Sequence, residues 1–405
     1  MNVLVLNCGS SSVKYQLLDM TKEMVLCKGQ VERVGMDDGI LSHQTHKGVK
    51  KRDILPVKNH AVAIKAILDT LVDKEVGAVG SLSEINAVGH RVVHGAEEFA
   101  GSMLITAEVK SALERNIPLA PLHNPPNLLG IKAAEELLPG IPQCGVFDTA
   151  FHTTMQPHAF LYPIPYSLYK EHRIRRYGFH GTSHKYVSER AAYLLGNEYE
   201  DLKIVTAHLG NGSSITAVDG GKSVDTSMGY TPLEGLVMGT RSGDIDPALP
   251  YHMVVDLGMT VKEVNDLLNK QSGLKGVSGV SHDMRDIEQA MLQGNEGAKR
   301  AFDMFCYRLR KYVGAYAAAM DGLDVLVFTA GIGENSPLVR WEVCSRLGVL
   351  GIKVDKEKNE SPVKEKVIST PDSRVTVMVV PTNEELAIAR DTARIVREMA
   401  KTRAG

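Results

Sequence analysis

The chain has 405 residues, 43% apolar and 23% charged, the balance of an ordinary soluble protein, which excludes disordered, coiled-coil and collagen-like classes. With 46 Lys and Arg against 48 Asp and Glu, there is no basic footprint for nucleic acid, although such a sum hides any local pocket for a small anion. Five scattered cysteines without a C-x-x-C, no basic leader and no run of ~20 apolar residues argue against a disulfide framework, zinc, a signal peptide or a membrane span, and for the cytoplasm.

Val3–Asn7 reads as a strand, Cys8-Gly9-Ser10-Ser11 as a tight turn and Ser12–Leu18 as the return strand, with a third strand over Met24–Val31. Lys47–Arg52 reads as a solvated loop tip. Ala61–Leu71 is an amphipathic helix, Ile85–Val93 a strand, Ala107–Asn116 and Leu128–Leu137 helices, and Cys144–Asp148 a short strand. The opening layout then returns. Ile204–Leu209 is a strand, Gly210-Asn211-Gly212-Ser213-Ser214 a turn, Ile215–Val218 the return strand, and Gly220-Gly221 a hairpin signal before Lys222–Thr226. Superposing Gly9-Ser10-Ser11 on Gly212-Ser213-Ser214 gives an offset of 203 residues (212 against 9), which indicates a duplicated domain rather than a solenoid.

Val261–Asn269 and Gly297–Met320 read as helices, Val325–Thr329 as a buried strand, and Ser336-Pro337 as the cap and first turn of another helix. Lys353–Lys366 reads as a second solvated loop. Val375–Val380 is a strand, and Thr382-Asn383-Glu384-Glu385 has capping-box spacing before a last helix to about Lys401. The pattern predicts an α/β protein of two domains with mixed sheets flanked by helices and a cleft between them. Residues 1–150 completed by 384–405 form the first domain and 151–383 the second.

Two glycine-serine turns between strands present successive backbone N–H groups, a cradle for phosphate. One such turn is as readily an ordinary hairpin; two at a half-chain offset favour a polyphosphate gripped by both domains. No Walker A loop occurs. Ala330-Gly331-Ile332-Gly333-Glu334-Asn335 lacks the third glycine of a dinucleotide fingerprint, and fits better as a glycine-lined wall against a nucleoside ring.

The stretches VLVLNCGSSSVKY (3–15), GHRVVHG (89–95), PLHNPPN (121–127), VFDTAFH (146–152), RRYGFHGTSHKYV (175–187), AHLGNGSS (207–214), MGTRSGDIDP (238–247), TAGIGEN (329–335) and PTNEE (381–385) together resemble the acetate kinase family along the whole chain. The resemblance implies the duplicated, actin-like (ribonuclease H-like) fold shared with sugar kinases and heat-shock chaperones. It implies Mg²⁺-dependent, reversible, in-line transfer of the ATP γ-phosphoryl group to acetate, giving ADP and acetyl phosphate, in a cytoplasmic homodimer. Mn²⁺ is an alternative metal. Propionate is the alternative acceptor, and a chaperone- or actin-like switch ATPase the rival from another class.

The roles the resemblance implies are specific. Arg91 clamps the acceptor carboxylate or phosphoryl group, where a structural ion pair is the plain alternative. Arg241 lies on a mobile glycine-rich loop and meets transition-state charge, where a solvated loop arginine is the plain alternative. His180 donates to the planar phosphoryl group; His184 and His123 are equally readable as structural. Asp148 serves electrostatically or as acid/base. Asn7 and Glu384 hold Mg²⁺. Val93, Leu122, Phe179 and Pro232 line the acceptor pocket. The nucleotide meets Lys14, His208, Leu209, Gly210, Asn211, Gly212, Asp283, Met284, Arg285, Gly331, Ile332, Gly333, Glu334 and Asn335. Alanine at Arg91 or Arg241 is expected to lower kcat by roughly 10²-fold with little change in stability.

Overall fold

A computed structural model describes residues 1–121 and 123–404, in two compact units: Met1–Phe151 with the chain from Asn383 onward, and His152–Thr382. The first unit is built on eight strands: β1 (Asn2–Cys8), β2 (Ser12–Asp19), β3 (Met24–Glu32), β4 (Met36–Thr45), β5 (Lys50–Val57), β6 (Ile85–Val92), β7 (Met103–Leu104) and β8 (Gln143–Phe147). Their order across the sheet is β5-β4-β3-β2-β1-β6-β8-β7. Strands β1 to β5 form an antiparallel meander, β1, β6 and β8 run parallel, and β7 is antiparallel.

Side chains alternate across this sheet as strand geometry demands. Leu4 and Leu6 of β1 pack with helices His60–Leu71 and Asn124–Leu137, while Val3 and Val5 pack with Ile388, Ala389 and Ala393 of the C-terminal helix Glu384–Ala404. That helix approaches β6 closely. A Cβ on Gly89 would lie 2.5 Å from Thr392 Oγ1 and 2.7 Å from the Ile388 side chain, so glycine is required there.

The second unit carries β9 (Lys203–Leu209), β10 (Ser213–Asp219), β11 (Lys222–Thr226), β12 (Val325–Thr329), β13 (Lys366–Val367) and β14 (Thr376–Val379), in the order β11-β10-β9-β12-β14-β13. Strand directions repeat those of β3-β2-β1-β6-β8-β7 one for one. The duplication is therefore a property of topology. Its offset is 201 residues, because β9 begins at 203 against 2 for β1 and β10 at 213 against 12 for β2. The expected 203 came from matching serines by name: Ser213 and Ser214 lie on β10, whereas Ser10 and Ser11 lie in the turn. Val205, Ala207 and Leu209 face a core with Phe302, Phe305 and Leu309 of helix Glu296–Ala319. Ile204, Thr206 and His208 take the opposite face of β9.

Several local expectations change. Lys50–Arg52 opens β5, paired with β4, rather than a loop; lysines on an edge strand discourage pairing with another chain. Lys353–Lys366 contains helix Lys356–Glu360 and reaches β13. The helix expected from Leu128 starts at Asn124, its first turn carrying prolines, where proline is tolerated. The one expected over Val261–Asn269 is α-helical to Asp266 and continues as a π-turn to Gln271. Asn383, not Thr382, caps the last helix, its Oδ1 accepting from Leu386 N–H. No helix among the described residues is long and apolar enough to cross a membrane.

Buried histidines give the fold a pH signature. Burial pushes His90 and His152 from 6.5 down to about 4. Below pH 6.5 the unfolded chain takes up protons that the folded chain refuses, so stability present at neutral pH is lost on acidification. Each should cost about 2 kcal/mol by pH 5. Urea midpoints should therefore fall from pH 7 to 5; a flat profile would contradict these neutral, buried rings.

Candidate active site

In the first unit, register sets the central pair. Arg91 on β6 lies opposite Val146 on β8, so Asp148, two residues on and just past the strand end, falls on the same face. Arg91 Nε donates to Asp148 Oδ1 (3.2 Å) and Nη2 to Oδ2 (2.5 Å), a bidentate fork. Asp148 is 1% exposed and Arg91 23%. Glu384 Oε2 lies 3.7 Å from Arg91 Nε. Burial works against the Arg91 charge, but Asp148 and Glu384 outweigh it and hold its pKa up. The Glu384 carboxyl is raised by its burial, with Arg91 and Lys14 pulling the other way and Glu385 adding to the rise.

Asn7, half-buried, is the penultimate residue of β1, and Lys14, exposed, stands opposite it on β2. Buried Asn127 braces this end of the sheet, its Oδ1 accepting from Val93 N–H (3.1 Å) and its Nδ2 donating to the Cys8 carbonyl (2.8 Å). Val93 is buried beside Arg91 in sequence. Leu122 lies outside the described residues.

In the second unit the turn Gly210–Gly212 is overlaid by two donors. A Cβ on Gly212 would lie 3.4 Å from Arg241 Nη2 and 3.5 Å from His180 Cε1, so the glycine lets both groups approach the backbone. His180 has a left-handed backbone (φ 55°) and stacks on His208 at 4.2 Å; its Nδ1 is 2.9 Å from Ser214 Oγ. Phe179 is buried, and its carbonyl accepts from His152 Nε2 (3.0 Å).

Arg241 Nη1 donates to the half-buried Pro232's carbonyl (2.8 Å). Burial lowers the Arg241 pKa, and among the described residues no carboxylate pairs with it. Its loop is anchored rather than mobile. Gly239 N–H donates to the Asn211 carbonyl, Leu274 N–H to that of Met238 and Ser272 N–H to that of Thr240.

A pocket of about 610 Å³ adjoins this turn, lined by Gly210, Asn211, Asp283–Arg285, Gly331, Ile332 and Asn335. Of the expected nucleotide contacts, Lys14, His208, Leu209, Gly212 and Gly333 do not line it. Nor does Glu334, whose Oε1 accepts from Ala330 N–H (2.8 Å) and Thr382 N–H (3.2 Å). Asp283 also does ordinary structural work, capping helix Met284–Leu292 and pairing with Arg285. Among the described residues no group of three or more His, Cys, Asp or Glu is placed to hold a metal.

The acetokinase family model matches residues 2–390. The acetate kinase of Pseudothermotoga lettingae is 60% identical over 99% of this chain and 99% of its own, and that of Thermotoga maritima 58% over 99% and 100%. The chain belongs to the acetokinase family. Solved acetokinase relatives share its architecture. The Porphyromonas gingivalis acetate kinase superposes with a TM-score of 0.95 at 52% identity, over 98% of this chain and 99% of that one. A propionate kinase from Francisella tularensis gives 0.91 at 44%, over 97% and 99%. The duplicated, actin-like fold with two mixed sheets is thus the acetokinase fold.

Sequence reasoning passed over most supports of the arrangement in the second unit. Helix Gly181–Leu195 went unforeseen, and with it Ser183; His184, named as a structural histidine, lies on the same helix, and both are fully buried. Ser183, His184, Val187, Ser188 and Ala191 have the spacing of one buried helical face; that was the available signal. Gly273 is a second support. It has φ +62°, and a Cβ there would lie 2.1 Å from the Met238 carbonyl oxygen and 2.6 Å from that of Arg241. Gly273→Ala should destabilise the fold by about 3 kcal/mol and lower kcat by displacing the Arg241 loop. Urea unfolding and steady-state rates check this; a silent substitution would contradict the anchoring.

Proposed function

We propose that the chain transfers the γ-phosphoryl group of ATP to acetate, reversibly, forming acetyl phosphate and ADP. The observation that carries this reading is Arg241, packed with His180 over Gly212 and lacking a carboxylate partner among the described residues. A half-buried cation left in that state is set to receive an anion. The nucleotide takes the pocket beside Gly210 and Asn211, as expected of the second unit. Arg91, whose Nε and Nη2 are held by Asp148, turns its Nη1 edge to the acceptor carboxylate, with Val93, Leu122, Phe179 and Pro232 around the methyl group. Arg241 and His180 stabilise the charge that spreads over the phosphoryl oxygens in transfer.

Mg²⁺, or Mn²⁺, fits the hard oxygens of Asn7 and Glu384. The fit rests on the Glu384 carboxyl, 21% exposed, whose charge is only partly offset by Arg91 and Lys14. Bound there, the metal would neutralise phosphate charge. The protein works in the cytoplasm as a homodimer; its five cysteines are free and buried, as a reducing compartment allows.

Relatives called acetate kinase at 57–60% identity favour acetate over propionate, a choice that one methylene decides by about 1–3 kcal/mol. Isothermal titration of acetate into protein with ADP and Mg²⁺ tests the reading. Acetate should bind, and Arg91→Ala should abolish the heat. A protein that hydrolyses ATP and ignores acetate is instead a switch ATPase.

A further inference from the structure

Behind His180 runs a line of buried polar atoms that the reaction itself does not require. Thr206 Oγ1 lies 2.7 Å from His184 Nδ1, His184 Nε2 lies 2.7 Å from Ser214 Oγ, and Ser214 Oγ lies 2.9 Å from His180 Nδ1. Thr206, His184 and Ser214 are wholly buried. The fold aligns them: Thr206 shares a face of β9 with His208, Ser214 stands opposite His208 on β10, and His184 sits in the first turn of the helix that follows His180.

Each hydroxyl in this line carries one hydrogen, and each neutral imidazole one N–H. Among the described residues Thr206 Oγ1 has His184 Nδ1 as its partner and no other. If His184 Nδ1 donated, the Thr206 hydrogen would be buried without an acceptor, which costs its full desolvation. Thr206 therefore donates to His184 Nδ1. His184, with its one hydrogen on Nε2, donates to Ser214. Ser214 then has its own hydrogen to place, and His180 Nδ1 is the acceptor within reach. Burial, with His152 and His208 adding to it, lowers the His184 pKa well below 6.5, in keeping with a neutral ring.

We infer that Thr206, His184 and Ser214 are positioning residues that hold His180 as the neutral Nε2–H tautomer, the form that donates to a phosphoryl oxygen. The inference rests on the proposed transfer reaction for its purpose, and on hydrogen-bond accounting alone for its direction.

The test is nitrogen NMR of the full chain, ¹⁵N-labelled at histidine, with ADP and Mg²⁺ bound and His180 assigned by loss of its signals in His180→Gln. Wild type should show His180 with an unprotonated Nδ1 and a protonated Nε2. Thr206→Val removes the hydroxyl that sets the direction, three hydrogen bonds from His180. It should yield a mixture of His180 tautomers and, although Thr206 takes no direct part in transfer, a kcat lowered about tenfold, with the KM for acetate unchanged. Thr206→Ser should restore both the spectrum and the rate.

A wild-type His180 protonated at Nδ1 would overturn the inference whether or not any variant folds. So would a folded Thr206→Val with an unchanged spectrum and rate. Wild type with the Nε2–H form but no acetyl phosphate formation would support the tautomer line and remove the reaction reading instead.

Discussion

Replacing Arg91 by alanine is expected to lower kcat by about 10²-fold or more and to destabilise the protein by about 3–5 kcal/mol. The second figure departs from what the sequence alone suggests, since an arginine kept only for catalysis can be removed with little cost. The difference lies in Asp148. It is 1% exposed and receives both of its fork hydrogen bonds from Arg91, so the substitution removes the cation that offsets a buried carboxylate. Denaturant unfolding should show Arg91→Ala far less stable than wild type, with Arg91→Ala/Asp148→Ala recovering much of the loss. Arg241→Ala should lower kcat to a similar extent with a smaller stability cost, because no carboxylate among the described residues depends on it. Equal stability for Arg91→Ala and wild type would break this account of the pair.

Asp148→Asn should also abolish most activity, by about 10²-fold or more, without introducing any pH dependence between about 6 and 8. Acetate titrates near the ordinary carboxyl range, at about 4, so at neutral pH it is already the nucleophile and has no proton to lose. Both Asp148 oxygens accept from Arg91, so the carboxylate fixes the fork in place and balances its charge. An amide there turns an N–H toward the guanidinium and releases it. The measurement is kcat against pH for both proteins. Recovery of the variant as pH rises would show instead that proton abstraction by Asp148 matters.

Strands and turns were the legible part of this molecule. Lys222–Thr226 and Val325–Thr329 match the observed strands residue for residue, because β-branched runs between glycine turns carry their own boundaries. The repeated meander was visible too, but its register was not. Only pairing partners reveal that Ser213 and Ser214 belong to a strand.

Within the site, Arg91 stood out as a lone charge in an apolar run, yet its bidentate grip on Asp148, 57 residues on, depends on two strands lying parallel. Arg241 was visible as a loop arginine, while the anchoring of that loop rests on backbone hydrogen bonds to Asn211, Ser272 and Leu274, which no local pattern announces. Thr206, Ser214 and His184 were the least legible. Each is unremarkable alone, and their meaning comes from three elements meeting at hydrogen-bond distance.

Trapping with hydroxylamine tests the central claim most directly. Incubated with ATP, Mg²⁺ and acetate, the protein should form acetyl hydroxamate in step with ADP, less of the corresponding product with propionate and least with butyrate. ADP released without hydroxamate from any of the three acids would show that the phosphoryl group goes to water, and that acetate is not the acceptor.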